Sequence, residues 1–143
     1  MGKGPQKKSL IDLEKKLHIS ENVYFEDFMD YNLLIEKQRD SKVFLMPSSR
    51  EGFGISVIEA YACGVPVITV NQEHNAAQYL VSDGMDGFVV PLDEKKIAAG
   101  IRKLLFEENY EAFLTAARKK ANQYDWEIII EQSRQAVNIK AVE

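Results

Sequence analysis

Seven residues separate Glu51 from Glu59, and Gly52-Phe53-Gly54 follows the first of them directly. Two carboxylates around a glycine-bearing loop could serve a phosphorylated, hydroxyl-rich ligand. Gly52 and Gly54 let the backbone approach a ligand with no Cβ in the way. The N–H groups of roughly Gly54 to Val57 are orphan donors where a helix begins, and the helix dipole makes them attractive to a phosphate. Glu59 lies about one turn further on, at roughly 1.5 Å per residue, where a carboxylate can accept two hydrogen bonds from a vicinal diol such as a ribose. Glu51 sits across the loop, toward whatever is attached beyond the phosphates. Two isolated glutamates beside a helix start are usually only solvated, so the surrounding segment must carry the case.

That segment, Lys42 to Val70, reads as strand, loop, helix, turn, strand. Val43–Met46 is a short apolar run of the kind a strand buried on both faces shows, and Pro47 ends it. Ser48–Gly54 is a polar loop. Ile55–Cys63 carries apolar residues around most of a helix, Gly64 closes that helix in the left-handed conformation, and Pro66 keeps it from continuing. Val65–Val70 is a second buried strand. Two strands joined through a helix run parallel with a right-handed crossover.

REGFGISVIEAYACGVPVI resembles the Glu-x7-Glu motif of retaining glycosyltransferases with two Rossmann-like domains (the GT-B fold), the glycosyl transferases group 1 family. The resemblance runs from about Leu10 to Val142 and is closest to the latter part of the family's C-terminal, donor-binding domain. It implies that Glu59 holds ribose hydroxyls and that Glu51, as the catalytic residue, contacts the transferred sugar, with Gly52 and the N–H groups of Phe53 and Gly54 nearby. By the same resemblance the N–H groups of Ile55 and Ser56 face the diphosphate and Val57 packs near the ribose. Ser49 and His74 are further candidates for ligand contact. The donor would be a UDP-, GDP- or ADP-sugar, with no cofactor and no metal, and the acceptor a glycan, lipid or small molecule in polysaccharide or cell-envelope biosynthesis.

Two departures from the family pattern bear on this. Where members commonly place a glycine-rich stretch after the second strand, this chain has Gln72-Glu73-His74-Asn75-Ala76-Ala77-Gln78, so donor or base preference is expected to differ. The opening strands of the donor domain, with their phosphate-binding basic residue, and the whole N-terminal acceptor domain are not represented. The expectation is a fragment inactive alone, in which Val23–Phe28 and Val43–Met46 either pair directly or leave an edge open to self-association. A non-catalytic interaction or regulatory module built on the same fold is the alternative. A sugar phosphorylase would need a pyridoxal lysine, and no lysine lies between Lys42 and Lys95. Nucleotide-sugar epimerases lack this glycine-flanked glutamate spacing. Ser56 is not in a glycine-flanked nucleophile elbow.

The rest of the chain supplies the scaffold. With 143 residues, 45% apolar and 28% charged, it is long enough for one domain with a core. A net charge of −4 argues against a general nucleic-acid binder, and Cys63, the single cysteine, excludes a disulfide within the chain. No run approaches the roughly 20 apolar residues of a membrane span. A cytoplasmic protein, peripheral at the inner membrane face if its acceptor is lipid-linked, is the expectation. Residues 1–8 read as a disordered lead or tag remnant and residues 9–143 as one Rossmann-like domain.

Ser9 is expected to cap a helix with a Leu10, Leu13, Leu17 stripe that ends at His18, a residue with no metal partner nearby. Val23–Phe28 is expected to be a strand, and Asp30 to cap a helix to about Asp40 with Leu33, Leu34 and Ile35 inward. Asn71–Asn75 reads as a loop, Ala76–Val81 as a short helix and Phe88–Val90 as a strand. Helices follow from Asp93 to Phe106, from Tyr110 to Asn122 and from Asp125 onward, the last with Ile129, Ile130 and Val137 on its apolar face and Trp126 as a half-buried staple. Alternating strands and helices predict an α/β fold with a parallel, Rossmann-like sheet.

Overall fold

The computed structural model describes residues 4–106 and 109–137. Contacts divide the chain into two compact units, Met1–Leu34 and Ile35–Glu143.

In the first unit, α1 spans Lys7–Lys16, so Lys7 and Lys8 of the expected lead are helical, while residues 1–3 lie outside the described residues. Ser9 is not the cap. Gln6 occupies that position, and the Ser9 hydroxyl donates back to the Gln6 carbonyl at 2.8 Å. His18 adopts φ 56°, and the N–H groups of His18 and Ile19 bond the carbonyls of Lys15 and Glu14 at 3.1 Å each. That left-handed closure satisfies the carbonyls the helix end leaves open. Leu10, Leu13 and Leu17 are exposed, whereas Ile11 and Glu14 are half-buried, so the leucine stripe is not the packed face. Val23–Phe28 forms no strand, and Tyr24 and Phe28 are exposed. A strand persists only where its backbone groups meet a neighbour, and no described residue pairs with this segment. Val23–Phe28 thus takes part in neither of the ladders formed among the described residues.

Helix α2, Tyr31–Arg39, begins as expected at Asp30, whose carboxylate accepts from the Asn32 N–H at 2.8 Å. Its inward residue differs from the expectation: Leu33 is exposed, Leu34 and Ile35 are half-buried, and Gln38 is the buried one.

The second unit holds a three-stranded parallel sheet in the order β1 (Phe44–Met46), β3 (Val67–Asn71), β5 (Gly87–Pro91). A separate two-residue ladder joins β2 (Arg50–Glu51) to β4 (His74–Asn75). Helix α3, Ile55–Ala62, connects β1 to β3, and Gly64 at φ 77° ends it while Val65 N–H bonds the Ala60 carbonyl at 2.9 Å. The expected short helix after Asn75 is a 3-10 helix, Ala76–Tyr79. Helices α4 (Glu94–Phe106), α5 (Tyr110–Asn122) and α6 (Trp126–Ala136) complete the unit. Asp93 and Asp125 cap α4 and α6 as their sequence positions predict, accepting from Lys96 N–H and Glu127 N–H at 2.9 Å each.

Side chains alternate across the sheet, as a period of two requires. Val67 joins Val57, Ala60, Tyr61 and Ala117 on one face. The next residue, Ile68, joins Phe88, Leu104 and Phe113 on the other. Helix α5 serves both layers, through Ala117 and Phe113. Losing a side chain such as Leu104, which has no exposed surface, costs about 2–5 kcal/mol. Helix α6 buries nothing fully: Ile129 is half-buried, while Trp126, Ile130 and Val137 are exposed, against the expected apolar face and staple.

Candidate functional site

The glycine loop leaves the C-terminal end of β1 and returns through β2 into α3. Sequence reasoning took residues 48–54 and 71–75 for loops, and missed that Arg50 pairs with His74 and Glu51 with Asn75 in a parallel ladder. Two-residue strands of polar residues carry no periodic signal, so only the fold exposes them.

The Glu51 carboxylate is held by the loop it opens. Its Oε1 accepts from the N–H groups of Phe53 at 3.2 Å and Gly54 at 3.1 Å. Charge-assisted bonds of this kind orient a carboxylate, and its second oxygen has no partner among the described residues. Gly54 makes the bend at φ 99°, where a side chain is strained, and it is buried against Ala77 and Leu80. In α3, Val57 N–H bonds the Gly54 carbonyl at 2.9 Å. The N–H groups of Ile55 and Ser56 take no acceptor among the described residues. They are the orphan donors of the helix start.

Glu59 is half-buried on α3, four residues before Cys63. Burial pushes the Cys63 thiol up; Arg39 beside it pulls the other way, and the Glu59 charge adds to the rise. Gly52, Phe53, Ser49 and His74 are exposed, and Phe53 meets Tyr124 edge-on with ring centroids 6.4 Å apart. Val57 has no exposed surface; its side chain belongs to the core, so it presents nothing to a ligand. Glu51, Phe53 and Gly54 thus lie in the loop that leads into Ile55 and Ser56 at the start of α3, with Glu59 a turn along that helix. An open hollow of about 580 Å³ bordered by Ile58, Arg118, Tyr124 and Trp126 includes none of the predicted residues. Among the described residues no cluster of three or more His, Cys, Asp or Glu could hold a metal ion.

The family model for glycosyl transferases group 1 matches residues 1–124. The chain belongs to this family. The Escherichia coli O-antigen biosynthesis glycosyltransferase WclY is 49% identical over 70 residues, covering 49% of this chain and 19% of that protein. The Staphylococcus aureus capsular polysaccharide biosynthesis glycosyltransferase CapM is 32% identical over 96% of this chain and 39% of its own length. Among solved structures, sucrose-phosphate synthase from Thermosynechococcus elongatus superposes with a TM-score of 0.80 at 26% identity, over 96% of this chain and 36% of that one. Anabaena HepE, solved in complex with UDP-glucose, does so with a TM-score of 0.77 at 25% identity, over 94% and 38%. The chain therefore spans between 19 and 39% of the length of the relatives named here. The fold is the α/β, Rossmann-like half of the family's GT-B architecture, and the chain is similar to its C-terminal part. No helix among the described residues is long and apolar enough to cross a membrane.

Proposed function

We propose that this chain carries the nucleotide-sugar donor site of a retaining glycosyltransferase, which moves a sugar from a nucleoside diphosphate to a glycan, lipid or small-molecule acceptor in polysaccharide or cell-envelope biosynthesis. The observation that carries the reading is the Glu51 carboxylate, oriented by Phe53 and Gly54 N–H beside the unpartnered N–H groups of Ile55 and Ser56. In this reading the free oxygen of Glu51 accepts from hydroxyls of the transferred sugar. The N–H groups of Ile55 and Ser56 take diphosphate oxygens, and Glu59 takes the ribose diol. As the anomeric C–O bond breaks, its electron pair leaves with the diphosphate. Donors already aimed at that developing charge lower the barrier without reorganising. Val57 has no part in this beyond packing.

The relatives' involvement in O-antigen and capsular polysaccharide biosynthesis supports the acceptor class. The complex of HepE with UDP-glucose supports a uridine donor first, ahead of GDP- or ADP-sugars. In this reading acceptor binding is assigned to parts of the family's architecture outside this chain's match, so the chain is expected to bind donor without turning it over. A cytoplasmic location, peripheral to the inner membrane face, suits a lipid-linked acceptor.

Titration of the chain with UDP, GDP and ADP, followed by backbone amide NMR shifts, tests the reading. Shifts centred on residues 54–59 that vanish in Glu59→Ala support it. No shift at millimolar concentration of any of the three overturns it.

A further inference from the structure

Asn75 has no exposed surface, and a buried amide costs free energy unless its donors and acceptor are matched. They are matched here. Its Nδ2 donates to Thr69 Oγ1 at 3.0 Å and to the Val70 carbonyl at 2.7 Å, while Oδ1 accepts from Ala77 N–H at 3.2 Å. Thr69, also fully buried, passes the chain on by donating from Oγ1 to the Met46 carbonyl at 3.1 Å. Reversing the amide would set its oxygen against the Val70 carbonyl and its NH₂ against an N–H, so this orientation is the one the partners allow.

The side chain therefore pins β4 to the ends of two sheet strands: Met46 is the last residue of β1, and Val70 is next to last in β3. From these ends the chain departs for the glycine loop and for β4. Two routes lead from Asn75 to that loop. Its backbone is the ladder partner of Glu51. Its Oδ1 also caps the 3-10 helix, whose Ala77 packs against Gly54.

We propose that Asn75 is a positioning residue: it sets where the Glu51 carboxylate stands relative to the free N–H groups that open α3. The ligand in this proposal is that of the donor-site reading, whereas the geometry is independent of it. A merely structural Asn75 would cap its helix and stabilise the fold without governing the loop.

Three variants separate these roles. Asn75→Asp keeps the acceptor for Ala77 N–H and loses both donated bonds; Asn75→Ala loses all three. Tyr61→Phe removes a buried hydrogen bond elsewhere, from Tyr61 to Asp86, and serves as the matched loss of stability. Melting midpoints, the amide resonances of Phe53 and Gly54, and affinities for UDP, GDP and ADP are measured on each.

Both Asn75 variants are expected to move the Phe53 and Gly54 resonances and to weaken nucleotide binding about tenfold or more, the scale of an ångström-level misplacement. Tyr61→Phe is expected to lower the melting midpoint and leave the resonances and affinity near those of the native chain. Folded Asn75→Asp with unmoved resonances and native affinity overturns the proposal. If neither Asn75 variant folds, Thr69→Val, which removes the hydroxyl that accepts from Asn75 Nδ2 and donates to the Met46 carbonyl but leaves the Asn75 bonds to Val70 and Ala77, carries the same expectation and the same refutation. If the native chain binds no nucleotide, the donor-site reading fails, and the Phe53 and Gly54 resonances still decide the positioning of Glu51.

Discussion

Gly54 and Ala77 are packed so closely that no side chain fits at residue 54: an ideal Cβ there lies 2.9 Å from the Ala77 Cβ. The contact joins the glycine loop to the 3-10 helix, and Gly54 holds it at φ 99°, a conformation L side chains rarely adopt. Gly54→Ala therefore meets strain and a clash together. It is expected to lose about 2–4 kcal/mol, combining left-handed strain with local overpacking, and to abolish nucleotide shifts even in the folded fraction. Urea melts with the same NMR titration check both halves.

Glu51 and Glu59 are expected to separate functionally. Glu59→Ala should weaken nucleoside diphosphate binding about tenfold or more, as loss of a charge-assisted bond does. Glu51→Gln should erase any preference for UDP-glucose over UDP, because its free oxygen is assigned to the sugar. It should also tighten UDP itself about threefold by removing a partly screened like charge. Calorimetric titration with UDP and UDP-glucose distinguishes the two patterns. Equal losses for both ligands in both variants would contradict the assignment.

Alkaline pH should unfold the protein partly through Tyr61. Burial first, then the 2.5 Å hydrogen bond to Asp86 and the charge of that carboxylate, hold the Tyr61 phenol neutral far above the ordinary tyrosine range. The unfolded chain loses this proton near pH 10 while the folded chain keeps it. Stability is thus fully present below about pH 10 and falls as pH rises beyond it. In Tyr61→Phe the decline should be shallower, after an initial loss of about 1–3 kcal/mol at neutral pH for the buried bond to a carboxylate, which Asp86 then keeps only from the Ser82 N–H. Urea melts of both proteins from pH 8 upward measure it.

Cys63 should be a slow thiol. Burial pushes its titration up, more than Arg39 beside it draws it down, and the thiolate is the nucleophile. Maleimide modification at neutral pH is expected to run slower on the folded chain than in urea, and faster in Glu59→Ala, which removes a like charge. A folded-state rate equal to that in urea would refute this.

Much of the scaffold was legible in local sequence. Asp30, Asp93 and Asp125 cap helices because a short acidic side chain reaches the first free N–H groups wherever a helix follows. Gly64 ends α3 in the left-handed conformation for an equally local reason. Val67 and Ile68 read as doubly buried because they are, one to each core layer. Val23–Phe28 looked like a strand by composition alone and is not one. Leu10, Leu13 and Leu17 have helical spacing, yet they stand exposed.

Residue types and spacing thus determined the order of the sheet strands β1, β3 and β5 and of the helices after residue 40, the glycine loop and the pair of glutamates, since each depends on neighbours a few positions away. Tertiary structure decided which groups within that loop are free. It brought Asn75 to the ladder beside Glu51, its amide to Thr69 and its capped helix to Gly54. It turned the Glu51 carboxylate onto two N–H groups and left those of Ile55 and Ser56 without an acceptor among the described residues. These are contacts between segments up to 24 residues apart, as Glu51 and Asn75 are. Hydrogen bonds act over about 3 Å, so such contacts exist only once the sheet has set the distances between its strand ends.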